Sequence, residues 1–324
     1  VKIVRVNVRT RHAIHIGDKK EYRELILKHS SDADVLMTVA TQTATTELLY
    51  PILHLIKAKK VLYMHGMYRF KWQNIHLRDI PHKVWNDLRW GWGYLFNGKY
   101  FKQYDSVIQI HRFDLSTLFF KKHYNIDSDV IENGTQDEFF SKQVDESKNA
   151  NYAINVSNYS SGKNQAMILK AFYSSNESNL ELILIGSKKN KYSKYLENLK
   201  KELDKKYGNR NVKILSEVPR SEISKFVKNA KIYLMGSKSE IFPIAIVEAM
   251  AAGKPFISTD VGIVRFLPGG VTVKNSNEMA YWIDEFSKND DVAKKLGGVG
   301  NTFAIKNFRI TDKVRELDTI IRRK

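Results

Sequence analysis

The chain has 324 residues and no cysteine. That absence excludes disulfides, thiolate-bound metals and a cysteine nucleophile. No apolar run approaches the roughly 18 residues a membrane-spanning helix needs. The longest, Ile241–Ala252, is interrupted by Pro243 and Glu248. A secretory hydrophobic segment is missing from the start, and internal repeats and low-complexity tracts are missing throughout. In a cytosolic, cysteine-free chain the Asn-x-Ser/Thr triplets at Asn133, Asn155, Asn158 and Asn176 read as chance. The first residue is Val1 rather than Met, which reads as a trimmed chain or a fragment.

What is present is the composition of a folded α/β protein with a strong positive charge. Hydrophobic residues make up 43%, charged residues 27% and aromatics 11%, which argues against disorder. There are 53 Lys and Arg against 35 Asp and Glu, a net charge of +18. Such a field favours anionic partners without choosing among nucleic acid, anionic lipid and phosphorylated small molecules. Two stretches concentrate it. Lys188–Lys213 is lysine-rich at helical spacing and reads as a solvated helix face. Lys60–Tyr104 carries eight basic residues, two acidic ones and four of the five tryptophans.

Short β-rich runs alternate with helical stretches, the pattern of parallel sheets. In the first half, strands are expected at Lys2–Val8, Asp34–Val39, Lys60–Met64, Ser106–Ile110 and Asp129–Ile131, with helices at Lys20–His29 and Thr45–Lys57. The polar segment Ser141–Tyr152 reads as a linker. The second half restarts the same alternation. Strands are expected at Tyr152–Val156, Leu180–Ile185, Val212–Leu215, Lys231–Met235, Pro255–Ser258 and Gly270–Val273. The helices between and after them fall at Asn164–Ser174, Lys191–Tyr207, Arg220–Asn229, Ala245–Ala252 and Ser276–Lys288. Gly297, Gly298 and Gly300 read as a helix terminator before an amphipathic Thr311–Arg323. Two doubly wound units in succession imply a cleft with a ligand at the C-terminal strand edges.

Residues 231–262 read KIYLMGSKSEIFPIAIVEAMAAGKPFISTDVG. A buried strand ends in a small-residue turn, followed by Glu240, an Ile-Phe-Pro turn and a helix carrying Glu248. The free N–H groups of that helix's first turn, near Ile244–Ile246, form an anion site, and Pro243 costs nothing at a helix start. Glu240 and Glu248 can flank one elongated ligand, and carboxylates accept paired hydroxyl hydrogen bonds, so a ribose or pyranose suits them. On spacing alone, a capping Glu and an unrelated helix Glu paired to a lysine explain the pattern equally well.

The run S-E-x-F-P-x-x-x-V-E-A-M-A-A-G-K-P-x-I-x-T-D-V-G closely resembles the Glu-x7-Glu signature of the retaining glycosyltransferases of family 4. It includes Ser239, Glu240, Phe242, Pro243, Glu248, Gly253, Pro255 and Gly262. VLYMHGMY resembles that family's N-domain strand ending in a histidine, here His65. VIENGTQDEFF resembles its segment before the linker, NVSNYSSGKNQAMILKAF its first C-domain strand–turn–helix with Lys163 at the phosphate-binding lysine, and LILIGSKKN the strand ending in Gly186. The resemblance covers nearly all of the second half and the later part of the first.

The resemblance implies a GT-B fold of the α/β class, two Rossmann-like doubly wound domains facing across a cleft. Residues 1–145 would be the acceptor-side domain, 150–310 the nucleotide-sugar-binding domain, and 311–324 a C-terminal helix crossing back to the first. It implies transfer of a sugar from a nucleotide-diphosphate donor, UDP- before GDP-sugar, to a carbohydrate or lipid-linked acceptor in bacterial surface glycan synthesis. Glu240 would contact the donor sugar and Glu248 the ribose. Lys163 and the N–H groups around Ile244 would hold the diphosphate. Asn158, Gly186, Ser239, Phe242 and Pro243 would complete the donor pocket, with His65 near the reacting sugar. Loss of a nucleoside diphosphate leaves charge on phosphate oxygen, which a lysine and a helix N-terminus stabilise without a metal or cofactor.

Two departures stand out. Ser157–Asn158 replaces the family's Gly-Arg, so one phosphate-binding cation is missing, with Lys188 or Lys189 as substitutes. The family's first strand and glycine-rich loop are not found in the opening residues. Both features leave open a catalytically weak GT-B partner subunit that binds glycan or nucleotide. The Asp-x-Asp pairs Asp32/Asp34 and Asp127/Asp129 precede strands and read as turn residues, not a metal site. The aromatic-basic stretch allows core filling or an acceptor and membrane lip built on Tyr68, Trp72, Trp90 and Trp92, with anionic lipid as partner. Nucleic acid is not an expected partner, because it explains none of the Glu-x7-Glu segment. The expected location is cytoplasmic, peripheral at the inner face of the plasma membrane.

Overall fold

Strand formation follows the apolar runs, and the turns between them fix where the sheets divide. The computed structural model describes residues 2–68, 70, 72, 77–141 and 151–323. Most of the expected linker, residues 142–150, lies outside the described residues. The chain divides into one unit of Val1–Ile131 with Arg315–Lys324 and a second of Glu132–Val314.

The first unit opens with an antiparallel hairpin, β1 (Val8–Arg11) and β2 (Ile14–Gly17). The strand expected at Lys2–Val8 is corrected by this. Ile3 and Val4 are exposed, so their alternation has no surface to cover, and the strand starts at Val8. The hairpin turns through His12 and Ala13, both left-handed (φ 49° and 59°), without the Asn-Gly pair that would advertise such a turn. Then follow α1 (Lys19–Ser30), β3 (Val35–Val39), α2 (Ala44–Glu47), β4 (Lys59–Tyr63), α3 (Ile80–Phe96), α4 (Gly98–Phe101), β5 (Ser106–Gln109), α5 (Leu115–Tyr124) and β6 (Asp129–Val130). The single helix expected over Thr45–Lys57 is replaced by α2 and a 3₁₀ stretch, Tyr50–Leu55. Pro51 lacks the N–H that an α-helix would use there.

Strands β3, β4, β5 and β6 pair in parallel in chain order. Leu49, Leu53, Leu62, Met64, Phe101 and Phe120 fill the core beneath them. A chain of polar contacts ties the hairpin to the helices. Thr10 Oγ1 lies 2.9 Å from His15 Nδ1, His15 Nε2 lies 2.8 Å from Glu47, and Arg89 lies 2.5 Å from the same carboxylate.

The second unit holds six parallel strands, β7 (Tyr152–Val156), β8 (Glu181–Gly186), β9 (Val212–Ser216), β10 (Ile232–Met235), β11 (Phe256–Thr259) and β12 (Gly270–Val273). Their order is β12-β11-β10-β7-β8-β9. It reverses between β7 and β10, the switch point where doubly wound sheets bind ligands. The helices are α6 (Gln165–Ser174), α7 (Lys191–Tyr207), α8 (Arg220–Asn229), α9 (Ile244–Ala251), α10 (Ser276–Lys288), α11 (Asp290–Asn307) and α12 (Ile310–Arg322).

The glycine break expected at Gly297–Gly300 lies inside α11. A Cβ on Gly297 would sit 2.2 Å from the Gly253 carbonyl oxygen, so the glycine lets the helix rest directly on the loop before β11. The residues of α12 from Arg315 onward belong to the first unit. There Ile320 packs with Val61, Ile108 and Ile131.

Candidate functional site

In the second unit, β7 and β10 are neighbours, so the loops leaving their C-terminal ends meet at the switch point. Asn164 Nδ2 donates to Gly236 O at 3.1 Å, and Lys238 N donates to Gly162 O at 2.8 Å. Asn164 is left-handed (φ 52°), which turns the first loop back over the second. Across this junction Lys163 Nζ lies 2.6 Å from Glu240 Oε1, with Glu240 the more buried of the two. Lys163 and Glu240, 77 residues apart, are therefore brought together.

Helix α9 starts at the end of the same loop. Pro243 is its N-cap and is buried, while Ile244 is 46% exposed at its first position. Of the N–H groups expected to be free, that of Ile246 donates to Pro243 O at 3.1 Å, so the α9 N-terminus presents those of Ile244 and Ala245 and a positive dipole end. Glu248 lies further along α9 and is 4% exposed. The Arg220 guanidinium, at the start of α8, bonds its Oε1. Burial pushes the Glu248 carboxyl above its usual range, and Arg220 pulls it back. Arg220 itself lies over the Phe139 ring.

Other expected donor residues are placed as follows. Ser239 is exposed beside Glu240. Phe242 is a core residue, its ring 5.8 Å from that of Phe308, and its carbonyl accepts from Asn133 Nδ2 at 3.4 Å. Asn158 is exposed, and its carbonyl accepts from Gln165 Nε2 at 3.1 Å, so this loop is held by Gln165. Gly186 ends β8. A Cβ there would fall 2.3 Å from the Tyr159 ring, which is why glycine is needed. The Tyr159 hydroxyl donates to Leu184 O and Leu215 O. Lys188 and Lys189 stand exposed in the loop after β8. The arginine beside the motif is Arg220, which sequence reading missed because nothing in the spacing links it to Glu248.

In the first unit, His65 follows β4, exposed, with its ring 5.2 Å from that of Tyr63. Partial burial of the imidazole lowers its pKa. His111 occupies the matching position beyond β5 and was also missed. It is buried, its Nδ1 accepts from Phe113 N at 3.3 Å, and burial lowers its pKa. The signal available was its place just past a strand end, as for His65.

The expected aromatic lip divides. Trp72 and Trp92 are exposed and Tyr68 is half-buried, but Trp90 is buried. On α3 it points inward with Tyr94, so it fills the core and is not part of a lip. Of the Asp-x-Asp residues, Asp127 pairs with Lys121 at 2.6 Å and Asp129 with Arg323 at 3.0 Å. Among the described residues no cluster of three His, Asp or Glu side chains is arranged to hold a metal, and no helix is long and apolar enough to cross a membrane.

Comparison with known proteins adds the following. The family model for glycosyl transferases group 1 matches residues 136–297. A trehalose synthase of Pyrococcus horikoshii is 29% identical over 131 residues, 39% of this chain. That match spans 32% of the relative's own length, about a third. Among solved structures, a glycosyltransferase of Rickettsia africae aligns with a TM-score of 0.69 at 20% identity, over 94% of this chain and 79% of that one. The Anabaena HepE protein, solved with UDP, aligns with a TM-score of 0.69 at 18% identity, over 91% and 80%. At these identities the structural likeness establishes the fold, the α/β GT-B architecture.

Proposed function

The chain belongs to the glycosyl transferases group 1 family, and from that premise we propose that it is a retaining hexosyltransferase. It moves a sugar from a nucleoside-diphosphate donor to a carbohydrate or lipid-linked acceptor. The setting is bacterial surface glycan synthesis at the inner face of the plasma membrane. UDP-sugar is preferred to GDP-sugar, in keeping with the UDP-bound Anabaena relative. The single observation that carries the reading is the Lys163–Glu240 pair beside the α9 N-terminus, with buried Glu248 on the same helix.

In the resting site the two charges satisfy each other. A diphosphate takes Lys163 and the α9 N–H groups, and the released Glu240 carboxylate accepts hydroxyls of the donor sugar. Glu248, oriented by Arg220, accepts the ribose hydroxyls. The bond from the anomeric carbon to phosphate then breaks as the acceptor oxygen bonds to that carbon on the same face. The acceptor proton passes to the leaving phosphate oxygen, whose developing charge Lys163 and the helix N-terminus stabilise. His65, held neutral by partial burial, serves as an uncharged hydrogen-bonding group near the sugar. No metal or cofactor is assigned a role.

One feature favours a second reading, a weakly active or inactive partner subunit that binds nucleotide or glycan. Asn158 stands where the family resemblance calls for arginine. Calorimetry with UDP and GDP on the wild type and Glu248→Ala tests the pocket. Micromolar binding of one nucleotide, weakened at least tenfold (about 1.4 kcal/mol) in the variant, supports it. A screen for release of UDP from UDP-sugars, with Glu240→Gln as control, then separates the two readings. Binding without turnover favours the partner subunit, and no nucleotide binding by the folded chain removes the enzyme reading.

A further inference from the structure

Helix α3 is apolar on its solvent side as well as on its buried side. Its solvent side is apolar, with Leu88 66%, Trp92 66% and Leu95 74% exposed and Phe96 beside them. At 3.6 residues per turn these positions form one stripe about 100° wide. Its charges lie off that stripe and are paired. Lys83 bonds Asp87, whose second oxygen accepts from Trp72 Nε1 at 2.7 Å, and Arg89 reaches Glu47. Trp90, Gly93 and Tyr94 are buried on the inner side. A surface helix of a soluble domain ordinarily carries charged and polar residues on its solvent side.

Helix α5 touches α3 on its inner side, with the Phe119 and Tyr94 rings 5.7 Å apart and the Tyr124 hydroxyl donating to Tyr94 O. It leaves Leu115 and Leu118 exposed. Lys99 in α4 and Lys102 just after it stand exposed close beyond the end of α3, and the stretch from Ile80 to Tyr124 carries seven basic and three acidic residues. A 17-residue helix is about 25 Å long.

We propose that the exposed side of α3, with Lys99 and Lys102 just beyond its end, forms a lipid-docking surface whose occupant is an anionic bilayer, with α3 lying in the plane of the headgroups. This rests on the membrane setting of the proposed function and names the surface that serves it. Exposed Leu, Trp and Phe on a helix flanked by lysines is the composition of an interfacial helix. A second copy is the poorer occupant, because a two-fold contact through this face would bring its own lysines together. A protein partner is poorer too, since lysine is depleted in protein interfaces.

The test is co-sedimentation of the full chain with two kinds of vesicle, phosphatidylcholine alone and phosphatidylcholine containing about a third phosphatidylglycerol. Wild-type protein is expected to partition at least tenfold more strongly onto the anionic vesicles. Leu88→Ser/Leu95→Ser/Phe96→Ser and Lys99→Glu/Lys102→Glu should each lose at least tenfold. Circular dichroism and UDP calorimetry on the same samples should match wild type. All substituted side chains are exposed, which keeps the fold in reach. The proposal is overturned if the wild type ignores anionic vesicles, or if the serine variant binds them unchanged. It is also overturned if the wild type is a dimer that the serine variant dissociates, since a second copy would then cover the face. A wild type that binds vesicles but not UDP leaves this surface standing and removes the donor reading instead.

Discussion

Lys163 Nζ and Glu240 Oε1, 2.6 Å apart, close the junction between the loops after β7 and β10. The sheet order reverses at that junction, so the pair stands where the fold places a ligand. On the proposed function, an anion entering there would compete with Glu240 for the ammonium.

Substitutions on the two sides of the pair should therefore act in opposite directions. Lys163→Ala removes the cation and should weaken UDP binding by about 10- to 100-fold, or 1.4–2.8 kcal/mol, while affecting uridine little. Glu240→Gln frees the lysine and should tighten UDP binding by about three- to tenfold while abolishing sugar transfer. Calorimetry with UDP and uridine reads both. If the two variants weaken UDP equally, the pair holds the loops together and does not gate the anion.

Glu248 should trade stability for binding. Burial raises its carboxyl pKa, so the folded state carries the ionised form at a cost above that pKa. The sign follows from linkage. A carboxyl whose folded pKa exceeds its unfolded one gives stability that grows as pH falls through the folded value and is complete below the unfolded value, near 4.5. Glu248→Gln should therefore melt a few degrees above wild type at pH 7.5, and the gap should close toward pH 4. UDP binding at pH 7.5 should fall at least tenfold, about 1.4 kcal/mol. Thermal denaturation across pH together with calorimetry checks both; a variant that melts below wild type at pH 7.5 would mean the Arg220 contact outweighs the burial cost.

Within α11, neighbouring glycines should respond oppositely to alanine. Gly297→Ala places a methyl 2.2 Å from the Gly253 carbonyl oxygen, a backbone atom that cannot swing aside. It should cost about 2–3 kcal/mol despite the gain in helix propensity. Gly298 has open space around it, so Gly298→Ala should stabilise by about 0.5–1 kcal/mol. Chemical denaturation of the two variants gives both values, and equal effects would deny that packing explains the glycine at 297.

These glycines also mark the limit of what the sequence made legible. The strands of the second unit could be read nearly residue by residue because each is a short apolar run between turn signals. Glu240, Glu248 and Lys163 were singled out because their neighbouring residues form a recognisable local pattern, and the fold brings Lys163 and Glu240 together. Three kinds of feature were not. Gly297 has the composition of a terminator, and only the approach of Gly253 shows its use. The hairpin turn at His12–Ala13 adopts left-handed backbone with residues that do not announce it. Arg220 reaches Glu248 across 28 residues of chain, a contact that no local pattern encodes. The side of α3 that faces solvent likewise depends on what packs against it, which is why Trp90 and Trp92 differ.

The end of α12 presents carbonyls that no helical N–H reaches, and Lys59 at the start of β4 supplies the missing donor. Its ammonium donates to Ile320 O at 2.8 Å and Ile321 O at 3.0 Å, and also to Arg323 O. A cation there also meets the negative end of the helix dipole. Burial of Ile320 against Val61, Ile108 and Ile131 contributes about 1.5–3 kcal/mol by itself. The lysine should add about 1–2 kcal/mol, as a charge-assisted contact that is partly buried. Lys59→Met keeps the aliphatic stem and removes only the donor, so amides of residues 315–323 should exchange about tenfold faster with those of β7 and β8 unchanged. Arg323→Ala, which loses only the exposed contact with Asp129, should change exchange by less than about threefold. If Lys59→Met leaves protection at wild-type levels, Ile320 packing alone fastens the helix, and Ile320→Ala should then release it.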